Sequence, residues 1–462
     1  MRIRLGIRQL TILLGLAIIL LLLTVTSKSG TVIVTPPWNH CLGLNKVTQF
    51  HLDIFSGYRE KFDDPQGLFC TKLHCEDDPQ TPKDDDELTV FGLNSGRHTL
   101  IYNKSLTSIG IVGGLGRGLL EFKRPQAVTG NSDGDVFVAD TGNDRLVHLR
   151  YEDDELLPID EFTGPDDKPF NRPSGIALGG DLLYVADTRN DRIALVTMDG
   201  TITAEYRPEY RGARLYRPYR VAVVTSNDEW FYYRDYFIAV VDSMGGRLWK
   251  ITPDGTVRNL IRYRAIGDTG GFNHVAIDYY GNVYVTDTHN GTIHKFNRHF
   301  QYIMAIGEKG TGEGQFDEPR GISIYRRFGQ IFVSERAGAQ YHWIGTDLLR
   351  LSAERLMFDT EKKTCRIDLS FLLAEHSFVT LYLENEDGER IVDIVSDYML
   401  PSGFFKRRIE IACNKVQLLA KCKVRLVAIA KPTYSSKAYL SVTRRTHFID
   451  PCPTPLTSSL AK

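Results

Sequence analysis

Five polar side chains occupy equivalent positions in a repeating frame of the chain, and together they could bind a polar or anionic ligand. They are Tyr219, Arg220, Asn273, His274 and Arg320. The guanidinium group of Arg220 offers a charged contact with several donors, and the imidazole of His274 titrates near pH ~6.5 when it is unperturbed. These residue types predict a ligand-binding cluster. In the alternative interpretation, the long side chains fill a channel that smaller residues would leave open.

No catalytic signature accompanies this cluster. The chain contains no G-x-S-x-G, H-E-x-x-H or P-loop motif. The acidic run 84–87 lacks the alternate-residue spacing of calcium loops and is typical of a solvated loop. Lys plus Arg total 56 and Asp plus Glu total 57, for a formal net charge of −1. That balance argues against a nucleic acid partner, because phosphate binding needs a cationic surface.

An internal repeat of about 48 residues must position the polar cluster. Its clearest copies are 122–145 and 170–192, each of which begins Phe-x-Arg-Pro and ends Val-Ala-Asp-Thr-x-Asn-Asp-Arg. Weaker copies extend the pattern to six units, with proline or its equivalent at 65, 125, 173, 218, 272 and 319. Within each unit, short apolar runs alternate with Gly and Asp turns, which predicts antiparallel strands.

The acidic residue that ends the second strand of a unit is predicted to lock the turn that follows it. In three units, an arginine after the turn can pair with this carboxylate. The residues are Asp140 with Arg145, Asp187 with Arg192, and Asp242 with Arg247; a fourth unit has Asp287. Their recurrence in several units favours a scaffolding role over catalysis.

These motifs resemble the NHL-repeat family of six-bladed β-propellers, over residues 46–346. The resemblance implies four-stranded blades around a central channel, with the five polar residues at one mouth. Some propellers of this type are enzymes, such as the amidating lyase with a metal site built from several histidines. Only His274 fits that location here. Calcium lactonases are another six-bladed comparison, so calcium or another divalent metal in the channel stays open.

The amino terminus has the layout of a secretory signal. Arginines at positions 2, 4 and 8 precede the apolar run 10–25, which is slightly shorter than the ~20 residues that span a bilayer. Cleavage after Ser27 and retention as a membrane anchor both stay open, and either exports the rest of the chain. Residues 28–45 are predicted to be a linker. Residues 47–55 are predicted to close the ring as the outer strand of the last blade.

From residue 347 the repeat stops, although strand-like runs continue to residue 449. About seven strands in ~100 residues predict a β-sandwich. The stretch 371–397 resembles the Ig-like modules of flagellar hook-capping type, which implies a spacer or adhesion module. The tail 450–462, with three prolines, is expected to be poorly ordered.

Seven cysteines in an exported chain predict some disulfide bonding. Cys70 and Cys75 lie in one insertion and are expected to form a local bond. The predicted fold class is therefore all-β: a six-bladed NHL propeller followed by an Ig-like sandwich. The predicted function is binding of a protein or glycan partner without catalysis. The alternative is a propeller enzyme, amidating-lyase-like or lactonase-like, with a metal in the channel.

Overall fold

The computed structural model of this chain describes residues 31–37, 45–76, 88–105, 108–242, 246–267, 269–359, 364–412 and 422–450. The predicted signal or anchor at 1–27 and the predicted tail beyond residue 450 lie outside these residues. The α-helix α1 (Gln49–Ser56) is short, and nowhere in the described ranges does a helix have the length and apolar character needed to cross a membrane.

Six antiparallel sheets make up most of the described chain. Strands β1 (Ile33–Val34) and β2 (Lys46–Thr48) come first along the chain and belong to the last of these sheets. Sheet 1 contains β3 (Pro65–Lys72), β4 (Leu88–Asn94), β5 (Thr99–Ser105) and β6 (Ser108–Gly113). Sheet 2 contains β7 (Ala127–Gly130), β8 (Asp135–Asp140), β9 (Arg145–Glu152) and β10 (Glu155–Phe162). Sheet 3 contains β11 (Pro173–Gly179), β12 (Leu182–Asp187), β13 (Arg192–Thr197) and β14 (Ile202–Tyr206).

The second half of the ring repeats this order, with two small additions. A hairpin of β15 (Glu209–Tyr210) and β16 (Ala213–Arg214) precedes sheet 4. Sheet 4 contains β17 (Pro218–Val224), β18 (Phe237–Asp242), β19 (Arg247–Ile251) and β20 (Val257–Arg262). Sheet 5 contains β21 (Val275–Ile277), β22 (Val283–Asp287), β23 (Thr292–Phe296) and β24 (Tyr302–Ile306). The parallel pair β25 (Glu308–Lys309) and β26 (Gln315–Phe316) follows. Sheet 6 contains β27 (Ile322–Tyr325), β28 (Gln330–Glu335) and β29 (Gly338–Ile344), with β1 and β2 on its outer edge.

The first strands of the six sheets surround a central channel. Each contacts the next in chain order, from β3 through β7, β11, β17 and β21 to β27, and β27 contacts β3 again. This closed, radial arrangement of antiparallel sheets is a β-propeller. The first strands approach so closely that a Cβ added at Gly175 would lie 2.8 Å from the Cα of Arg220. The glycines at this position of the repeat, Gly67, Gly175 and Gly321, are therefore a steric requirement of close strand approach.

The predicted Asp–Arg turns are buried within the sheets. Arg145 donates from Nε to Oδ2 of Asp140 at 2.9 Å, and Asn143 donates to the same oxygen at 2.8 Å. Equivalent contacts join Arg192 to Asp187 at 2.8 Å and Arg247 to Asp242 at 2.9 Å. Burial raises the pKa of these three aspartates, although hydrogen bonds from the turn and the arginine oppose it. Each pair satisfies a carboxylate that would otherwise be buried alone.

Sheet 5 replaces the arginine of this turn with aromatic and amide donors. Asp287 accepts hydrogen bonds from Tyr263 at 2.5 Å and from Asn290 at 2.8 Å, and His294 lies 3.3 Å away. Burial raises the pKa of Asp287, but the hydrogen bonds from His294, Tyr263 and Asn290 outweigh it and lower the pKa to about 2. The carboxylate stays ionised because its donors compensate for lost water.

The ring closes differently from the predicted outer strand at 47–55. Two short strands pair with β29. Lys46 of β2 lies opposite Gln340, and Ile33 of β1 lies opposite Ile344. β1 falls in the segment predicted to be a linker. Residues 49–56 form α1 instead of a strand, because Thr48 and His51 make a capping box at its start and Gly57 ends it with a φ of 64°.

The carboxy-terminal part forms two packed antiparallel sheets. One contains β30 (Leu348–Asp359), β31 (Thr364–Leu373) and β34 (Gly403–Ala412). The other has the order β33 (Arg390–Leu400), β32 (Ser377–Asn385), β35 (Val424–Pro432) and β36 (Val442–Arg445). Buried side chains such as Leu369, Phe371, Leu381 and Leu426 fill the space between the sheets.

This module docks on sheets 5 and 6 through a buried polar contact. Lys295 on β23 pairs with Glu375, and both side chains are fully buried. Glu375 also accepts hydrogen bonds from Asn282 at 2.8 Å and from Tyr284 at 3.0 Å. The ring of His376 stacks on that of Tyr280 at a centroid distance of 3.9 Å. The lysine offsets the charge of Glu375 and lowers its pKa, although burial acts in the opposite direction.

The predicted bond between Cys70 and Cys75 is absent from the structure, in which both thiols are free. Cys70 lies within β3, and its Sγ is 3.2 Å from the hydroxyl of Ser323 on β27. Cys75 lies beyond the end of β3, in the exposed turn His74–Glu76. Strand pairing therefore holds Cys70 against the neighbouring sheet, whereas Cys75 stays at the surface.

Candidate functional site

Arg220 closes one mouth of the channel. It follows Pro218 at the start of β17, and its side chain is only 2% exposed. Its Nη1 donates to the carbonyl oxygens of Ser174 and Tyr219, each at 2.9 Å. Its Nη2 donates to the side-chain carbonyls of Gln66 at 2.9 Å and Gln126 at 3.2 Å. One side chain thus joins sheets 1, 2, 3 and 4 at the centre of the ring.

All four hydrogen-bond acceptors of Arg220 are neutral oxygens. Its Cζ also lies 4.7 Å from the centroid of the Tyr219 ring, which adds a cation–π contact. Burial lowers the pKa of Arg220 because a buried cation has lost its hydration. A buried guanidinium held only by neutral groups gives this end of the channel a positive potential.

The other predicted cluster residues divide into two groups. Tyr219 donates to Oδ1 of Asn273 at 2.8 Å, and Asn273 donates to the hydroxyl of Thr288 at 2.5 Å. Burial raises the pKa of Tyr219 to about 12, so its phenol stays a donor. Arg320 lies apart from them and pairs with Asp64, and with Glu318 at 2.9 Å. The structure therefore brings Tyr219, Arg220 and Asn273 together but directs Arg320 to acidic neighbours.

A cavity of about 250 Å³ occupies the channel beyond Arg220. All six first strands contribute to its wall, largely with aliphatic side chains. The wall residues include Leu68, Val128, Ile176, Val221, Val275 and Ile322. Polar residues share the wall with these aliphatic side chains, among them Thr129, Ser323 and Arg326, and a mixed wall of this kind can hold a small molecule.

His274 supplies an imidazole to this cavity. The residue is 8% exposed, and its Nδ1 is buried without a hydrogen-bond partner among the described residues. Burial, and then the charge of Arg220, lower the pKa of His274 to about 3. The expected titration near pH 6.5 is therefore wrong for the folded protein. A neutral imidazole can donate one hydrogen bond and accept another.

The far end of the cavity meets solvent beside an insertion in sheet 4. Glu229 and Trp230 of this loop border the opening, and Glu229 is exposed. Arg326 of sheet 6 pairs with Asp228 and donates to the carbonyl oxygen of Val223 at 2.8 Å. This ion pair joins sheets 4 and 6 at the rim, across the intervening sheet 5, whose Ile277 carbonyl oxygen accepts from Arg326 Nε at 3.1 Å.

The side chains of the channel do not fit a divalent metal. Cys70 lines the cavity, but burial raises the pKa of its thiol to about 12, which keeps it protonated. Asp228 is committed to Arg326. Across the ranges that the structure describes, no three His, Cys, Asp or Glu side chains gather as a metal would require.

Comparisons with known proteins give structural likenesses alone. No protein-family model matches the chain, and no curated protein matches it. A streptogramin B lyase structure is similar at 16% identity and a TM-score of 0.41, over 62% of this chain and 97% of that one. A virginiamycin B lyase from Staphylococcus aureus has 15% identity and a TM-score of 0.40, over 57% and 83%. A putative gluconolactonase has 10% identity and a TM-score of 0.42, over 65% and 97%.

Two parts of the channel were missing from the predicted site. Gln66 and Gln126 precede the small residues of sheets 1 and 2, and only the ring geometry shows that they reach Arg220. Asp228 and Trp230 lie in the extra residues that separate the two halves of the fourth repeat. An insertion at a strand connection of a propeller was the signal that could have found them.

Proposed function

We propose that this protein is a binding protein, built as a six-bladed NHL-type propeller with an Ig-like module, that takes a small ligand into its channel. The observation that carries this proposal is the channel itself. Six strands with aliphatic and polar groups surround about 250 Å³ that opens to solvent at one end, and Arg220 closes the other end. The Nδ1 atom of His274 has no hydrogen-bond partner among the described residues. An unsatisfied buried acceptor or donor is costly unless a ligand or water pairs with it.

The domain limits of this proposal follow the repeat. The propeller occupies residues 46–346 together with β1, and the Ig-like module occupies 347–449. The strand order of the module supports this assignment, because β30, β31 and β34 form one sheet and β33, β32, β35 and β36 form the other. Crossing between two sheets in this way is typical of Ig-like sandwiches.

The lining defines the chemistry of the ligand. Aliphatic walls favour a compact apolar body, since burying apolar surface contributes ~25 cal/mol per Å². His274 favours one hydroxyl or carbonyl group, which a neutral imidazole can bind. The positive potential of Arg220 disfavours a cation at the closed end.

A propeller enzyme is the second candidate. The observation that favours it is the buried position of His274 in the wall of the channel cavity, where an acid–base group could act. A pKa of about 3 makes this imidazole a weak base at neutral pH. Binding without catalysis is therefore the first proposal. Neither proposal includes a metal ion in the channel.

Binding of two matched probes to the full chain tests the proposal. Toluene and 4-methylphenol share an apolar ring, and only the second carries a hydroxyl. Ala222→Phe places a ring in the cavity and should abolish binding of both, as measured by ligand-observed NMR. His274→Leu should weaken the phenol about five- to tenfold, the effect of about one hydrogen bond, and spare toluene.

Ala265→Phe is the control, because Ala265 is exposed outside the channel. If neither probe binds, or if the Ala222→Phe variant binds both as the unaltered chain does, the channel is not the site. Turnover of bound ligand that is lost in the His274→Leu variant would favour the enzyme.

We also propose that the chain is exported and that residues 1–27 act as a signal or an anchor. The arginines before the apolar run support this proposal. Amino-terminal sequencing of the protein from membrane and soluble fractions distinguishes cleavage from anchoring. A protein or glycan remains the proposed partner of the outer surface.

A further inference from the structure

A shallow concavity of about 430 Å³ lies on the face of the ring that Arg220 closes. Three arginines line it, each from the loop or turn at the end of a strand in sheets 3 and 4. They are Arg172, Arg189 and Arg217, and Ser174, Thr188 and Tyr219 lie between them. We call these three arginines the basic crescent.

The guanidinium groups of the basic crescent are not paired with carboxylates. All three arginines are exposed, and in the ranges that the structure describes no ion pair joins their guanidinium groups to an acidic side chain. The backbone N–H groups of Arg172 and Arg217 donate to Asp144 and Asp191, each at 2.7 Å. The opposite side of the same rim differs. There Arg124 pairs with Asp64 at 2.9 Å, and Arg320 pairs with Asp64 and Glu318. The rim is therefore polarised, with its free positive charge over sheets 3 and 4.

Arg220 strengthens this potential from below. Its guanidinium group contacts the carbonyl oxygens of Ser174 and Tyr219, two residues that line the concavity. Because its other partners are neutral amides, its charge is not cancelled within the channel. A charge buried beneath the protein surface is screened less by water than a solvated charge, so it acts more strongly on a ligand at that surface.

A second concavity of about 640 Å³ extends the cationic surface over sheets 2 and 3. Arg117, Lys168 and Arg207 line it, together with the carboxylates of Asp144 and Asp167. Lys168 and Arg207 both lie within 4.0 Å of Glu205, which offsets part of their charge. The two concavities adjoin at Asn171 and Asn190, which neighbour Arg172 and Arg189 in sequence. Cations are thus spaced along a track longer than a single small anion needs.

We infer that the basic crescent binds an acidic polysaccharide, a glycan that carries carboxylate or sulfate groups. Arginine forks match planar and tetrahedral oxyanions. The side-chain amide of Asn171 lies beside the cations and suits sugar hydroxyls. This surface faces away from the open end of the cavity, so the inference does not depend on the proposed channel ligand.

Titration calorimetry of the full chain with oligogalacturonate and with sulfated dextran tests the inference, at low and high salt. The triple variant Arg172→Gln, Arg189→Gln, Arg217→Gln should weaken binding of one or both glycans at least tenfold. The matched control Arg234→Gln, Arg258→Gln, Arg262→Gln removes three exposed arginines elsewhere, so it makes the same change in net charge. It should bind within a factor of two of the unaltered chain.

Preference for one glycan tells whether carboxylate or sulfate is the better ligand. The inference fails if neither glycan binds, or if the two triple variants lose the same affinity. It also fails if polyglutamate or single-stranded DNA binds the basic crescent as tightly as the glycans do, because the surface would then recognise charge alone. None of these results bears on toluene or 4-methylphenol in the channel.

Discussion

The guanidinium group of Arg220 reaches across the channel and donates to the side-chain carbonyl of Gln66 at 2.9 Å. The two residues are 154 positions apart in sequence and belong to sheets 4 and 1, which face each other across the ring. Arg220 therefore ties opposite sheets together and fills the mouth, as the second interpretation of the polar cluster expected. Ligand binding by this side chain at the mouth stays untested.

Replacing Arg220 with methionine should destabilise the propeller. The change keeps much of the side-chain volume but leaves Gln66, Gln126 and two carbonyl oxygens without their donor. We expect a loss of about 2 kcal/mol in the free energy of unfolding, measured with urea. Arg258→Met, at an exposed position, is the control and should change it by less than ~0.5 kcal/mol. Equal stability of both variants would contradict the role of Arg220 as a tie.

Stability should fall in mild acid because of His274. The pKa of its imidazole is near ~6.5 in an unfolded chain and about 3 in the folded one. The unfolded state therefore takes up the proton first, and stability is lost as the pH falls from 6.5 toward 3, by at most ~1.4 kcal/mol per pH unit. His342, whose pKa burial lowers to about 4, adds to this loss.

His274→Leu removes one of these two contributions. Urea unfolding at pH 7, 6, 5 and 4 should show a pH dependence that is shallower by about 1 kcal/mol per unit between pH 6 and 4. His447→Leu, at an exposed position, is the control. A pH profile identical to that of the unaltered chain would show that His274 takes up its proton in the folded state.

The buried pair of Lys295 and Glu375 should control docking of the carboxy-terminal two-sheet module. Lys295→Met leaves the Glu375 carboxylate buried without its cation. The nearby Asp278 is also buried, and burial, together with the charge of Glu375, raises its pKa well above the usual value. We expect a loss of about 3–5 kcal/mol and faster proteolysis between the module and the ring. Combining it with Glu375→Gln should restore most of the stability, because no charge is then left unpaired. Lys431→Met, an exposed change, is the control.

Removing the amino-terminal strands should loosen sheet 6 in two steps. A chain that begins at residue 45 lacks β1, and one that begins at residue 57 lacks β2 and α1 as well, which exposes more of the edge of β29. The melting temperature should fall with each step. Phe50→Ala changes a side chain that is 67% exposed on α1 and should have little effect. A large effect of Phe50→Ala would favour the strand once expected there.

Thiol labelling should distinguish the reactive Cys75 from the unreactive Cys70. Iodoacetamide at pH 8 should modify the exposed Cys75 in the folded protein. Cys70 should react only after unfolding, because it is buried and its pKa is raised to about 12. Peptide mapping without reductant measures both. A peptide linked through Cys70 and Cys75 would contradict the structure.

Local sequence signals were sufficient to predict the β-propeller, and that prediction is confirmed. The repeat of Phe-x-Arg-Pro and Val-Ala-Asp marks strands and turns by short-range patterns, which fold in nearly the same way in every unit. Such features depend on residues a few positions apart, so the sequence displays them directly.

Tertiary structure decided the burial, direction and charge state of side chains whose contacts come from opposite sides of the ring. Sequence spacing placed Arg220 and His274 at one mouth, but ring closure buried both, turned Arg220 toward Gln66 and held the His274 imidazole in its neutral form. The closing strand predicted at 47–55 extends only to Thr48 within β2, because a capping box and Gly57 favour a helix beyond it. Burial and long-range pairing set side-chain charge and direction, and neither is encoded in the spacing of neighbouring residues.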